Sequence, residues 1–402
     1  MYTKNEVMEF IKEEDVKFIR LAFITLDGKQ KNISIMPDRL AAAFSNGISF
    51  DASSIDGFQS PDKSDMFLHP DPATLAILPW RPTTGKVVRM FCDITYPDGT
   101  PYEKDCRHLL KKAMELAKEK YHVDLKFGSE IEFYLFKLDE NGNSSKEPFD
   151  QAGYMDIAPE DKGENIRREI CFTLEQMGIS PEASHHEEGP GQNEIDFHYG
   201  NALASADNTV TFKWIVRTKA CANGLFADFS PKPFSNKSGS GMHINISCHS
   251  ITEEKDYTKQ MLAGIIKHIK EITLFLNPCE NSYHRLGECK APKYISWAKE
   301  NRSALIRIPA SQNEKRIELR SPDPKANPYL AFTLLIHAAL EGIHENLVPP
   351  EPTEENLFSQ NAPARKTLES IPGSFEEAKK IAANSDFVKQ VLGEALLKAY
   401  LN

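Results

Sequence analysis

Apolar and polar residues alternate along this chain with two different periods, so it predicts both strands and helices. From Asp124 to Lys137 the apolar residues recur at every second position, which predicts a long strand. Further strand-like pieces lie near 193–199, 224–230, 241–248, 304–308 and 315–320. Segments with apolar residues at three- and four-residue spacing predict helices over 104–120, 161–178, 205–222, 257–276, 327–345 and 375–399. The stretch before them reads differently, as one helix over Asn5–Glu13 followed by short strands and turns. Lys17–Leu26 and Gly28–Ile35 form a hairpin pair about Leu26-Asp27-Gly28, and Val87–Ile94 is another strand. Tyr96-Pro97-Asp98-Gly99-Thr100-Pro101 interrupts the pattern, placing a domain boundary between 1–100 and 101–402. Strands and helices mixed in this way give an α+β fold class.

Composition narrows the function classes. At 402 residues, 40% hydrophobic and 26% charged, the chain has room for a substantial core in one large domain or two. A net charge of −10 argues against nucleic acid as the main partner, although a site can still gather cations for anionic small substrates. Seven cysteines without any Cys-x-x-Cys fit free thiols in a reducing compartment. The N-terminus lacks the apolar core of a signal peptide, and the longest apolar stretch, Tyr329–Ile343, is too short to span a bilayer and contains His337. A cytoplasmic protein with no membrane partner is expected.

The chemistry begins at Glu130-Ile131-Glu132. On a strand these two carboxylates point to one face, about 7 Å apart at about 3.3 Å of rise per residue. Ile131, Phe133 and Leu135 point the other way, into a core. Two acids on so apolar a strand are costly to bury without a partner, and a cation would supply one; a solvated strand face is the plain alternative. Four further segments add to the pair. In Glu182–Phe197, Glu187 and Glu194 flank a Gly-Pro-Gly turn that can return both to one side. In Ser238–Ser247, Gly239 and Gly241 permit close backbone approach to a ligand, and a strand then sets His243, Asn245 and Ser247 on one face. The last two are Asn301–Pro309, with Arg302 and Arg307, and Arg316-Ile317-Glu318-Leu319-Arg320, whose charged residues share one strand face. Carboxylates with one histidine suit a hard divalent ion such as Mg²⁺ or Mn²⁺, and arginine forks suit carboxylate and phosphate. That combination is what phosphoryl transfer from a nucleotide requires. Neither a Walker-type phosphate loop nor a dinucleotide fingerprint is present in the sequence, so any nucleotide would be held by another architecture.

In this order the segments resemble type I glutamine synthetases, with matching signatures from Phe50-Asp51-Ala52-Ser53-Ser54-Ile55 to Asn327-Pro328-Tyr329-Leu330-Ala331. The resemblance implies a small N-terminal β-grasp domain and a large catalytic α+β domain, in ring-shaped homo-oligomers whose active sites form between neighbouring subunits. It implies one metal held by Glu132, Glu187 and Glu194 beside glutamate and the ammonia site, and a second held by Glu130, His243 and Glu318 against the ATP phosphates. Gly239 and Gly241 would approach the glutamate backbone. Arg285, Arg302 and Arg320 would grip the substrate carboxylates and the transferring phosphoryl group, Arg320 in a catalytic role. Arg307 and Arg316 would lie near the nucleotide phosphates, with Asn245 and Ser247 also on the ATP side. The implied reaction joins L-glutamate and ammonia through a γ-glutamyl phosphate formed with ATP. Asp51, Ser54, Tyr154 and Glu187 match the anionic ammonium pocket, Asp51 and Ser54 coming from the adjacent subunit.

The chain departs from the family pattern in its closing loop. The family reads Tyr-Glu-Ala-Pro there, whereas Arg285-Leu286-Gly287-Glu288-Cys289-Lys290-Ala291-Pro292 is one residue shorter and sets Lys290 in the glutamate's place. A lysine would repel ammonium, and Glu288 is the acid that could take over the catalytic role if the loop turns differently. Ser238 stands for an asparagine, Ala52 for a glycine, and Gln312 where an arginine is usual. Family members continue beyond the equivalent of Asn402 into a segment that reaches the opposing ring, so a hexameric ring or a weakly paired dodecamer is expected. Two other readings compete with the ammonia ligase: a γ-glutamyl ligase using another amine, and a catalytically weakened regulatory homologue.

Overall fold

The computed structural model describes residues 2–81, 84–310 and 315–402; Gln312 lies outside them. Two sheets organise the chain. The first contains β1 (Val16–Ile24), β2 (Gln30–Ile35), β3 (Ile48–Asp51), β4 (Asp65–Pro70), β5 (Ala76–Ile77) and β6 (Lys86–Thr95), in the order β2-β1-β6-β4-β3 with β5 also on β6. Its centre is the parallel β1–β6 pair, flanked by antiparallel partners. The expected hairpin is β1–β2, and α1 (Lys4–Glu13) opens the chain with a capping box at Thr3. A second short helix, α2 (Leu40–Asn46), falls where only strands and turns were expected. Leu40, Ala43 and Phe44 bury one side of it, a stripe too short to register as periodic.

The second sheet runs β14-β15-β16-β13-β7-β10-β9. Its long member is β7 (Val123–Leu138), and its other strands include β9 (Pro181–His186), β10 (Gln192–Phe197), β13 (Met242–Ser250), β14 (Trp297–Lys299), β15 (Ile306–Ile308) and β16 (Ile317–Leu319). The short β8 (Ser144–Pro148), β11 (Gly200–Asn201) and β12 (Leu225–Asp228) also pair with β7. The alternation read from the sequence is that of β7: Leu125, Phe127, Ile131, Phe133 and Leu135 are buried together in the core. That face meets helices. Phe127 stacks on Phe332 of α8 (Pro328–His344) at 4.5 Å between ring centroids, and Phe133 meets Phe212 of α5 (Ala202–Ala222) at 6.1 Å. Three more helices complete the layer: α3 (Cys106–Lys120), α4 (Glu164–Gln176) and α6 (Thr258–Leu276), followed by the short α7 (Glu280–Tyr283). α6 crosses α8 at glycines; a Cβ on Gly264 would overlap the carbonyl oxygen of Ala338, and one on Gly342 that of Gln260.

The single helix expected over 375–399 is instead three: α9 (Phe375–Asn384), α10 (Asp386–Leu392) and α11 (Glu394–Leu401). Ser385 has extended backbone and caps α10 from Val388 N–H, and Gly393 at φ 78° breaks the chain again.

A buried cation ties the first sheet to the helical layer. Arg107 of α3 donates to Asp71 at 2.9 Å, to Asp93 at 3.1 Å and to Asp207 of α5 at 3.0 Å, and Tyr329 of α8 donates to Asp207 at 2.6 Å. Asp71 follows β4 and Asp93 lies on β6, so one guanidinium joins the N-terminal sheet to three helices of the larger layer.

Candidate active site

The side of β7 away from the helices carries Glu130 and Glu132, and the sheet register brings charged partners onto both. On one flank β10 sets Glu194 opposite Glu132 and Asp196 opposite Glu130; on the other, β13 sets His243 opposite Glu130. β16 beyond it sets Glu318 opposite Asn245. β9 then pairs with β10 so that His185 faces Glu194. Residues scattered from 130 to 318 thus converge because each sits on the same face of one antiparallel sheet.

The resulting pocket is acidic and partly buried. His243 Nδ1 lies 3.3 Å from Glu130 Oε2 and 3.4 Å from Glu318 Oε1, and its Nε2 lies 3.9 Å from Glu132 Oε1. His185 Nε2 is 3.3 Å from Glu194 Oε1 and its Nδ1 3.7 Å from Glu187 Oε1. Candidate ligand atoms fall within 4.8 Å of one another in the sets Glu130–His243–Glu318, Glu132–Glu194–His243 and His185–Glu187–Glu194. The first is the set expected for the nucleotide-side ion. The set expected on the other side, Glu132–Glu187–Glu194, is spread across the other two, with Glu194 common to both.

The carboxylates differ in what holds them. Burial pushes Glu130 up, but His243 and the Asn245 amide, which donates at 2.7 Å, outweigh it and bring it down to about 2. Burial and the charge of Glu132 raise Glu187 to about 7, and burial with Glu132 and Glu130 nearby pushes Glu194 well up. Asp196 is raised to about 9 by burial and then by Glu194, and its Oδ1 is buried without a hydrogen-bond partner among the described residues. This much crowded negative charge lacks enough positive charge to balance it, and its donors are hard oxygens with imidazole. Both facts fit a divalent cation of the Mg²⁺ or Mn²⁺ kind.

The other expected residues fall into distinct groups. Arg307 and Arg320 both point at Glu318: Arg307 Nε pairs with Oε2, and Arg320 Nε lies 3.2 Å from Oε1. Arg320 also donates to the carbonyl of Arg302, whose own side chain is exposed. Arg316 donates to Asn245 Oδ1 at 3.0 Å, and Ser247 meets His249 at 3.2 Å. Arg285 is buried and donates to the carbonyls of Ser321 at 2.7 Å and Arg320 at 3.3 Å. The glycine loop wraps it: a Cβ on Gly241 would lie 2.7 Å from Arg285 Nη2 and 2.8 Å from His243 Nε2, and one on Gly239 would come within 2.9 Å of Arg285 Cγ. Gly241 N–H donates to Glu132 Oε2 at 2.9 Å, which needs the same close backbone approach. Asp51 and Ser54 are exposed on the first sheet, and their hydrogen bonds run to each other and to Ser53.

Residues 103–402 match the family model described as glutamine synthetase, catalytic domain, and residues 15–97 match the glutamine synthetase β-grasp domain. The chain belongs to the glutamine synthetase family. Curated glutamine synthetases are similar throughout: 46% identity to that of Methanosarcina mazei, covering 99% of this chain and 92% of the relative, and 44% to that of Clostridium saccharobutylicum, covering 100% and 94%. A solved GmaS–ADP complex superposes with a TM-score of 0.89 at 28% identity, covering 98% of this chain and 93% of that one. The Plasmodium falciparum glutamine synthetase superposes with a TM-score of 0.87 at 24% identity, over 100% and 95%, a likeness that bears on the fold. The α+β fold with an N-terminal β-grasp domain is therefore that of the glutamine synthetase family. Among the described residues no helix is long and apolar enough to cross a membrane.

The closing loop of this glutamine synthetase family member takes a particular form. Gly287 N–H donates to the Ala291 carbonyl and Ala291 N–H to that of Glu288, both at 2.9 Å. This tight closure sets Gly287 at φ 85°, Cys289 at 40° and Lys290 at 67°. Lys290 pairs with Glu188, and its Nζ lies 5.9 Å from the centroid of the Tyr154 ring. Glu288 is exposed and makes no side-chain hydrogen bond or ion pair among the described residues.

Sequence reasoning passed over His185, Asp196 and Gln192. The first two lie two residues from Glu187 and Glu194, and strand periodicity alone puts them on the same face. Gln192 donates to Glu132 Oε2 at 2.9 Å and to the Gly239 carbonyl at 3.1 Å, joining the hairpin to the glycine loop. Nothing in its local sequence announces that role.

Proposed function

We propose that the chain is an ATP-dependent glutamate–ammonia ligase that forms L-glutamine through a γ-glutamyl phosphate. The single observation that carries this reading is the convergence of Glu130, Glu132, Glu194, His243 and Glu318 on one sheet face, in a chain whose relatives carry the name glutamine synthetase. The ADP in the GmaS neighbour's title supports ATP as the nucleotide.

Glu130, His243 and Glu318 would hold one divalent cation, and Glu132, Glu187 and Glu194, with His185 alongside, would hold another. Mg²⁺ or Mn²⁺ there supplies charge neutralisation between two anionic reactants. The protein's own groups do the rest. Arg320 and Arg307, now spent on Glu318, are placed to turn to phosphate and carboxylate oxygens, and Arg316, Asn245 and Ser247 would line the nucleotide side. Arg285 stiffens the Gly239–Gly241 loop, against which the backbone of glutamate would lie, with Arg302 reaching its carboxylate from the exposed side. The γ-carboxylate of glutamate attacks the γ-phosphorus of ATP, and ADP leaves. Ammonium binds among Tyr154, Glu187 and the partner-supplied Asp51 and Ser54, loses a proton, and the resulting ammonia displaces phosphate.

Among the described residues the Asp51 and Ser54 side chains bond only to each other and to Ser53, which supports a homo-oligomer in which they complete a neighbour's site, as a hexameric ring or dodecamer. The division into a 1–100 β-grasp unit and a 101–402 catalytic unit, and a cytoplasmic location, belong to the same reading. Glutamine formation and phosphate release from glutamate and ATP, with ammonium compared against a panel of primary amines, test it. Turnover with ammonium is the expected result; turnover with amines alone, or with none, would refute it.

A further inference from the structure

We propose that Lys290 is an internal competitor for the acceptor ammonium, a specificity-determining residue whose own ammonium group sits at the mouth of the pocket. The inference rests on the reading that Tyr154 and Glu187 line the ammonium pocket.

Lys290 is carried there by a loop with few alternatives. Cys289 and Lys290 are consecutive non-glycine residues in the left-handed region, held by the two backbone hydrogen bonds that close the turn. Its ammonium pairs with Glu188, which immediately follows Glu187, and lies over the face of Tyr154. The Tyr154 ring in turn meets His185 edge-on at 5.5 Å, and His185 faces both Glu187 and Glu194. One aromatic ring and one imidazole thus separate the Lys290 ammonium from the carboxylate cluster. Glu188 also accepts from Ser238 Oγ at 3.1 Å, the residue before the Gly239–Gly241 loop. The latch therefore joins the closing loop, the β9–β10 turn and the glycine loop.

An alkylammonium and free ammonium carry the same charge and the same N–H donors, and both seek carboxylate and the face of an aromatic ring. They are rivals for one environment. The rivalry is reversible, because the Lys290 side chain is 61% exposed and an ion pair so open to water is weak. Ammonium that comes to the Tyr154 face on its way to the carboxylates has to displace Lys290 from that ring, which raises the ammonium concentration the enzyme needs. A larger alkylammonium has to displace it as well and then find room.

The test is steady-state kinetics at saturating glutamate and ATP, with ammonium varied, for the wild type, Lys290→Met, Lys290→Ala and Lys290→Arg. Lys290→Met keeps the stem and removes the charge; with Lys290→Ala it is expected to lower the KM for ammonium several-fold while the KM for glutamate holds, and Lys290→Arg is expected to stay near the wild type. Methylammonium, standing in for the lost side chain, is expected to inhibit Lys290→Ala competitively against ammonium and more strongly than the wild type. An ammonium KM that is unchanged or raised in both Lys290→Met and Lys290→Ala, with an active wild type, would overturn this inference alone. A wild type that forms no glutamine from ammonium would overturn the underlying function and the inference with it.

Discussion

Replacing Arg107 by methionine removes the one guanidinium that three carboxylates share. Arg107 is almost fully buried, and its partners Asp71, Asp93 and Asp207 come from the first sheet and from α5. Lys111 still reaches Asp93 at 2.7 Å and Asp71 at 3.5 Å, so those two keep a counter-charge. Asp207 keeps the Tyr329 hydroxyl and the charge of the buried Arg89 nearby, but no cation at ion-pair distance among the described residues. Breaking a buried pair by deleting one partner costs about 3–5 kcal/mol, and the surviving lysine places this case at the low end, about 3 kcal/mol. Against a total stability of about 5–15 kcal/mol that is a large fraction. At about 2 °C per kcal/mol for a chain of this size, the melting temperature should fall by about 6 °C. Thermal and urea melts followed by circular dichroism measure both quantities. A variant within about 0.5 kcal/mol of the wild type, the range of ordinary surface substitutions, would refute the claim that this cation fastens the first sheet to the helical layer.

Gly264→Ala puts a methyl group into the carbonyl of Ala338 where α6 crosses α8, and overpacking of that kind costs about 1–3 kcal/mol, readable in the same melts. Lys213 is buried on α5, donates to the Pro324 carbonyl at 2.9 Å, and is lowered to about 7 by burial and then by Arg217. Its folded value lies below its unfolded value of 10.5, so the unfolded state binds the extra proton between those limits, and stability should rise as pH climbs from about 7 toward 10.5. Lys213→Met should abolish that rise when unfolding is compared at pH 7 and 9.5; an unchanged pH dependence would count against it.

Much of the fold was legible because period and burial agree. β7 reads as a strand since every second residue is apolar and that face meets α5 and α8. α8 reads as one helix since it begins at Asn327-Pro328 and no further proline interrupts its apolar run, Gly342 falling in the last turn. The C-terminal segment misled because its apolar spacing continues through Ser385 and Gly393, where local backbone geometry overrides periodicity. The site was legible in its parts: Glu130 and Glu132, Glu187 and Glu194, His243, Glu318. Its connectivity was not. That Glu194 belongs to two candidate ligand sets follows from the β7–β10 and β9–β10 registers together, and that Lys290 reaches Glu188 follows from a turn with two left-handed residues, none of which local sequence encodes.

Titrating Mn²⁺ by calorimetry into the nucleotide-free wild type and into His243→Ala asks whether the face of β7 between β10 and β13 is a divalent-cation centre serving the ligase reaction. The wild type should bind more than one ion per chain, and loss of the imidazole between Glu130 and Glu318 should weaken the affinity at least about 10-fold, the scale on which metal sites respond to losing a supporting group. Equal Mn²⁺ affinity in the two proteins, or no binding to the wild type, would contradict it.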